Sequence, residues 1–282
     1  MPYKNANMKS ILVASDFSAP AKDAALYAAQ LAKTLGAELT LLHAYLLPTP
    51  VSEVPYVMVS VEELQKDNER MASELAGSIQ EKTGLTPRVM VNIGLPADEV
   101  VYQSKEIGAE LVVIGMRGEN KAIDKLIGST TAAVIRKSHI PVLVVPEGAS
   151  YSEWTSVVYA TDFSYTMNLR CLNMLAELVK KHPGAKLNMV NIQRPAEIMS
   201  PEQISGKVRL EPILEHLQHQ YHTVEHSSVE AGLESFLEQY PSQLLVMVAH
   251  KHSWWERLVS GSHTREMAYR SDIPLLVLQD KD

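Results

Sequence analysis

The sequence is short of cysteine, of long apolar runs and of positive charge. Its one cysteine, Cys171, excludes an intramolecular disulfide and fits a reducing compartment. No uninterrupted apolar stretch approaches the ~20 residues that a membrane-spanning helix needs, so no membrane partner is expected. The opening MPYKNANMKS is polar, and the ILVA after it is far shorter than the apolar region of a secretory signal, so a cytoplasmic location is expected. Lysine and arginine number 26 against 33 acidic residues, a net charge of -7. A field of that sign repels phosphate backbones and anionic lipid, so nucleic acid is not expected as a partner either. Two common nucleotide motifs are also missing. No G-x4-G-K-[ST] occurs, and no G-x-G-x-x-G follows the first apolar run, so a P-loop and the dinucleotide fingerprint are excluded.

What is present is the same pattern twice. ILVASDFS (11–18) returns as VVYATDFS (157–164), and SHIPVLVV (138–145) returns as SDIPLLVL (271–278). AELVVIG is echoed by SQLLVMVA, and KLIGST by RLVSGSH, in the same order. A period of half the chain means a duplicated domain. The copies are placed at residues 1–147 and 155–282, joined by the turn-rich link PEGASYSEW, Pro146 to Trp154. The interval from Asp16 to Gly128 is 13 residues longer than that from Asp162 to Gly261. The proline-containing passage YLLPTPVSEVPYVMVS in the first copy is the natural place for that difference.

Within a copy, short apolar runs alternate with helical spacing. The first copy reads as strand ILVAS, a helix capped by Ser18 and stopped by Gly36, and strand ELTLLHA. A helix near Val61 to Thr83, strand RVMVNI, helix PADEVVYQSKEIG, strand ELVVIG, helix STTAAVIRKS and strand PVLVV complete it. Strands apolar at every position are buried on both faces, which predicts an α/β fold: five parallel strands per copy with helices on each side. Apolar last strands leave edges that need cover, so PVLVVP and PLLVLQ are expected to pair across a pseudo-twofold axis.

Ligands of such sheets sit at the carboxyl ends of the strands, near the point where the strand order reverses. Three features meet there in the first copy: Ala14-Ser15-Asp16, then Gly115 with Arg117 and Gly118, then Gly128-Ser129-Thr130 opening the last helix. Free N–H groups at a helix start, the helix dipole and two hydroxyls make a phosphate cradle. Glycines let a ligand approach the backbone closely. By spacing alone, Ser129-Thr130 and Asp16-Phe17-Ser18 also fit simple helix caps.

Gly115-x2-Gly118-x9-Gly128-Ser129 matches the ATP-binding pattern G-x2-G-x9-G-[ST] of universal stress proteins. With ILVASDFS as opening strand and SHIPVLVVP as closing strand, both halves resemble that family in its tandem form. The resemblance implies five parallel strands per domain, similar to adenine nucleotide alpha-hydrolases, and a dimer mode in single-domain relatives that two copies in one chain would reproduce as a pseudo-dimer. It leaves room for a homodimer of whole chains and for a protein partner. It implies an adenine nucleotide, ATP, with Ala14 and Asp16 beside the adenosine and the Ala44 backbone on adenine. The loop of Gly115, Arg117 and Gly118 would hold ribose and phosphates, and Gly128, Ser129 and Thr130 the phosphates, with Mg²⁺ or Mn²⁺ alongside.

The second copy departs from the pattern. It keeps Asp162, Gly261 and Ser262 but reads Val248-Ala249-His250-Lys251 opposite Gly115 to Gly118, followed by His252, Trp254 and Trp255. Nucleotide binding is therefore expected in the first copy alone. EHLQHQYHTVEH brings His219, His222 and His226 near one face if it is helical, a metal-collecting spacing, although a solvated polar face is the ordinary reading and its end at TVEHSSVE also reads as strand. Cys171 lies in an apolar helical pattern, as a core residue would. An ATP pyrophosphatase or adenylyl transferase is the competing class, but S-G-G-x-D-S and H-I-G-H are both missing. No carboxylate or histidine in the first-copy motif is placed to activate water, and His43 is expected to face the packing layers. At most slow, metal-dependent ATP hydrolysis is expected, and against the remaining alternative, a nucleotide-free interaction scaffold, stands the intact first motif.

Overall fold

The computed structural model describes residues 8–47, 60–116, 127–163, 169–196, 198–249 and 273–279. The first half runs β1 (Ser10–Ala14), α1 (Ala19–Leu35), β2 (Glu38–Tyr45), α2 (Val61–Thr83), β3 (Arg88–Ile93), α3 (Pro96–Glu106), β4 (Leu111–Gly115), α4 (Ser129–Lys137) and β5 (Val142–Val145). The second half repeats the order with β6 (Ser156–Ala160), α5 (Leu169–Lys180), β7 (Lys186–Gln193), α6 (Pro201–Leu214), β8 (Gln218–Glu225), α7 (Val229–Gln239), β9 (Leu244–Ala249) and β10 (Leu275–Gln279).

Each half holds five parallel strands, in mirrored order, and the two sets form one ten-stranded sheet, β3-β2-β1-β4-β5-β10-β9-β6-β7-β8. The junction is the antiparallel pair β5–β10, with Leu143 opposite Leu276 and Val142 opposite Val277. The two apolar last strands thus cover one another. The sheet's outer edges are β3 and β8, whose sequences RVMVNI and QHQYHTVE carry the polar residues that blunt an edge.

Local chemistry explains the elements. Ile11, Leu12 and Val13 of β1 are fully buried, as a strand covered on both faces requires. Ser18 caps α1, its Oγ accepting from Ala21 N, and Gly36 ends that helix at φ 67 in the left-handed region that glycine enters freely. Ser60 and Glu63 form a capping box at the start of α2.

Two sequence expectations need correction. Part of the length difference between the copies lies in a helix, not only in the preceding loop: α2 has 23 residues and α6 has 14. The histidine-rich segment is strand β8, paired in register with β7 along all of its length from Gln218 to Glu225. The β-formers Tyr221, Thr223 and Val224 and the partner strand outweigh the helical spacing of the histidines. His219 and His222 consequently fall on opposite faces, His222 bonding Asn188 Oδ1 at 3.1 Å and His219 lying 3.5 Å from Glu211. Among the described residues, no group of three or more His, Cys, Asp or Glu could hold a metal ion, and no helix is long and apolar enough to cross a membrane. Cys171 falls on α5, with its side chain outside the described residues.

The link between the copies is anchored in the core. Trp154 is 1 % exposed, donates from Nε1 to the Tyr27 hydroxyl at 3.2 Å and stacks on His182 at 3.9 Å between ring centres. The Tyr151 hydroxyl lies 2.8 Å from Thr34 Oγ1 and 2.9 Å from His182 Nε2. His182 Nδ1 donates to the Leu178 carbonyl at 2.9 Å. The link therefore ties α1 of one half to the end of α5 of the other. Burial holds the His182 imidazolium below the ordinary histidine value, opposed by its bond to Leu178.

Trp154→Ala should lower the unfolding free energy by about 3–5 kcal/mol, read by denaturant titration with circular dichroism. The unfolded chain protonates His182 more readily than the folded one, so that residue's contribution is present above pH 6.5 and is lost as pH falls below it. The slope of stability against pH on the acid side of 6.5 should be shallower in His182→Gln than in the wild type.

Candidate functional site

In the first half the chain winds from β1 through β2 to β3 on one side and through β4 to β5 on the other. The switch point lies between β1 and β4, where Ala14 pairs with Ile114, so Ser15-Asp16 and Gly115-Met116 leave the sheet side by side.

The turn after β1 is tightly made. Ser15 N donates to the Leu42 carbonyl at 2.9 Å, and Ser15 Oγ accepts from Phe17 N at 3.1 Å. Phe17 has φ 64, a left-handed conformation that a bulky side chain enters only when its surroundings hold it there. Asp16 Oδ1 accepts from Ser18 N at 3.1 Å and from the Ser18 hydroxyl, which itself caps α1. Asp16 thus has the structural role that its spacing allowed, while its side chain remains exposed beside the switch point.

Sequence reasoning missed the brace beneath this turn. His43 is buried, with Nδ1 2.8 Å from the Ser15 carbonyl and Nε2 2.8 Å from Asn68 Oδ1. Asn68 is fixed in turn by donating to the Leu64 carbonyl at 2.7 Å. The Phe17 ring lies 4.2 Å from the His43 ring. A buried histidine followed 25 residues later by a buried asparagine on a helix carries no local signal. Ala44, next on β2, is half-buried and pairs with Asn92.

On the other side of the switch point, α4 is pinned to the end of β4. Gly128 N donates to the Met116 carbonyl and Thr131 Oγ1 to the Gly115 carbonyl, both at 2.8 Å. Gly128 is the N-cap, at φ -63 and ψ 153, with no side-chain cap bond. Ser caps close α1, α2, α6 and α7; the start of α4 is left open, with Ser129 and Thr130 exposed on its first turn. Among the described residues, no side chain caps its first-turn N–H groups, and the helix dipole there favours an anion. Arg117 and Gly118 lie outside the described residues. The structure thus brings Ala14, Asp16 and Gly115 to the switch point, with the Gly128-Ser129-Thr130 turn tied to the end of β4 and Ala44 one strand away on β2.

A model of the universal stress protein family matches residues 7–146 and again residues 153–279. The chain belongs to the universal stress protein family. A universal stress protein of Mycolicibacterium smegmatis is 26% identical over 298 residues, covering 99% of this chain and 99% of that protein. The Bacillus subtilis universal stress protein YxiE is 31% identical over 139 residues, 46% of this chain and 92% of its own length. A crystal structure of a universal stress protein from Archaeoglobus fulgidus superposes with a TM-score of 0.73 at 20% identity, covering 98% of this chain and 97% of that one, which shows a shared fold. One relative therefore matches the tandem chain end to end, and the other matches about half of it.

The second half of this universal stress protein keeps the turn after its first strand. Thr161 Oγ1 accepts from Phe163 N at 3.1 Å, Phe163 has φ 57, and Asn191 Nδ2 donates to the Thr161 carbonyl at 2.9 Å where His43 meets Ser15 in the first half. The covering differs. The shorter α6 presses directly on this turn: Gln203 Nε2 donates to the Asp162 carbonyl at 3.0 Å. A Cβ on Gly206 would lie 1.9 Å from the Phe163 carbonyl oxygen. His250, Lys251, His252, Trp254, Trp255, Gly261 and Ser262 lie outside the described residues.

Gly206→Ala has no room without moving α6. It should destabilise the chain by about 1–3 kcal/mol, measured by thermal or denaturant unfolding, whereas Gly77→Ala, with open space around it on α2, should be neutral or stabilising.

Proposed function

We infer that the chain is an ATP-binding regulatory protein of the stress response, with the nucleotide held by the first half. The observation that carries this reading is the start of α4, which is uncapped, bears two exposed hydroxyls and is anchored to β4 beside the sheet's switch point. In this reading the first-turn N–H groups, Ser129 and Thr130 bind the phosphates. Gly115, Gly118 and Gly128 let the backbone approach the ribose and phosphates, and Arg117 belongs to the loop that holds them. Ala14 and Asp16 line the adenosine, and the Ala44 backbone meets adenine. The donor set suits a triphosphate accompanied by Mg²⁺ or Mn²⁺, whose charge would offset that of the phosphates. The second half binds none, because α6 crowds the corresponding turn and the glycines of the loop are replaced.

The same geometry argues for occupancy rather than turnover. The Asp16 carboxylate is engaged in the turn at the adenosine end. His43, the nearby histidine, is buried and committed to Ser15 and Asn68. Neither is free to take a proton from water at the phosphates. A site that is either full or empty signals by presenting two states to a partner protein.

Calorimetry with ATP and Mg²⁺ should give one site per chain; two equivalent sites, or none, would overturn the reading. Gly128 sits in backbone space open to any residue, so Gly128→Val tests space rather than strain. That variant should remain folded and lose ATP binding. Phosphate release with Mg²⁺ or Mn²⁺ should stay well below the ~1 s⁻¹ of ordinary enzymes.

A further inference from the structure

We propose that Gln279, the last residue of β10, positions the phosphate end of the site in the first half, so that the second copy serves nucleotide binding without binding nucleotide itself. The proposal rests on the reading of α4 as the phosphate cradle and extends it to the other half of the chain.

Gln279 is 2 % exposed, and its Nε2 donates at 3.1 Å to the backbone carbonyl of Ile135 on α4. The last four carbonyls of a helix have no partner within it. In α4, Ser138 N–H takes the Val134 carbonyl at 2.8 Å, and Gln279 takes the next one. A donor at this end also complements the negative pole of the helix, and it does so where water does not reach.

The bond bears on the site because α4 has only nine residues, too few to hold a helix in place by backbone bonds alone. Val134 and Ile135 are fully buried in one apolar cluster with Val142 and Val144 of β5 and Leu275 and Val277 of β10. The helix thus shares a core with both halves and has a side-chain brace from each: Thr131 to the Gly115 carbonyl, and Gln279 to Ile135. Ser129 lies about 9 Å along the axis from Ile135, so movement of the braced end is carried to the cradle.

The brace is one-sided by sequence. Val145 pairs with Gly115 as Leu278 pairs with Val248, so Gln279 stands where the first copy has Pro146, which has no side-chain donor. The second copy can hold the first copy's helix in this way, and the first copy cannot return it.

The test uses the full chain with Gln279→Met, which keeps the length of the side chain and removes the donor. Binding of ATP with Mg²⁺ and of adenosine is measured by calorimetry well below the melting temperature. ATP affinity should fall about tenfold, the scale of one lost buried hydrogen bond, while adenosine affinity stays as in the wild type. Amide hydrogen exchange in α4 should become faster. Equal losses for both ligands would mean general destabilisation and would overturn the proposal, as would unchanged ATP affinity. Gln279→Asn draws the amide back by one methylene and serves if the methionine variant does not fold. It should give the same ATP-selective loss, and its absence counts against the proposal. A wild-type chain that binds no ATP defeats the proposed function and this inference together. A wild-type chain that binds ATP, with variants that bind it equally well, defeats this inference alone.

Discussion

The structure depends on the antiparallel pairing of β5 with β10. Each half ends its sheet in a strand that is apolar at nearly every position: Val142, Leu143, Val144 and Val145 on one side, Leu275, Leu276, Val277 and Leu278 on the other, all at most 1 % exposed. Left alone, either strand would present an unpaired backbone and a continuous apolar surface to water. Complete burial of a valine or leucine contributes about 1.5–3 kcal/mol, so these eight residues place a large share of the stabilisation at the seam between the halves. The other cross-half features add to that seam. Trp154 and Tyr151 tie α1 to the end of α5, and Gln279 reaches α4.

The two halves share their framework and differ in what lies over it. The turn after the first strand is built alike in both: a hydroxyl accepting from the phenylalanine N–H, a left-handed phenylalanine, and a strand-two side chain on the preceding carbonyl. In the first half that side chain is a histidine, and α2 meets the turn at one remove through Asn68. In the second it is an asparagine, and α6 lies on the turn itself, held at Gln203 and Gly206. The shorter helix lies with Gly206 against the Phe163 carbonyl. The crowding is thus part of the packing of the second half.

Much of this was legible in the sequence because it is written in local or repeated signals. The duplication, the run of buried strands, the Ser18 cap, the Gly36 stop and the span of α2 from Val61 to Thr83 all follow from periodicity and capping chemistry. The pairing of the last strands follows from their apolar edges. Illegible were features that need a partner distant in sequence. Trp154 sits among turn formers and reads as linker; its burial depends on Tyr27 and His182. His219 and His222 have helical spacing, and β7 decides that they belong to a strand. The brace of His43 by Asn68 and the contact of Gly206 with Phe163 join segments whose registers no local rule relates. At the site, the sequence left Ser129 and Thr130 open between a cap and a cradle. The structure makes Gly128 the cap residue and leaves both hydroxyls exposed on the first turn.

The division of labour between the halves follows from where the seam lies. Pairing β5 with β10 uses main-chain groups and apolar side chains along the strands. None of the paired residues lies at the carboxyl ends of β6 and β9. A copy can therefore lose the glycines opposite Gly115 and Gly118, shorten the helix over its first turn and still provide a complete sheet edge. The reverse does not hold. The first copy's proposed cradle is the end of a nine-residue helix that shares its core with both last strands and is braced from β10. A first half without its neighbour would keep every residue of the nucleotide pattern and lose both the cover of β5 and the donor to Ile135. In the proposed reading the second copy thus supports the first copy's site from across the seam.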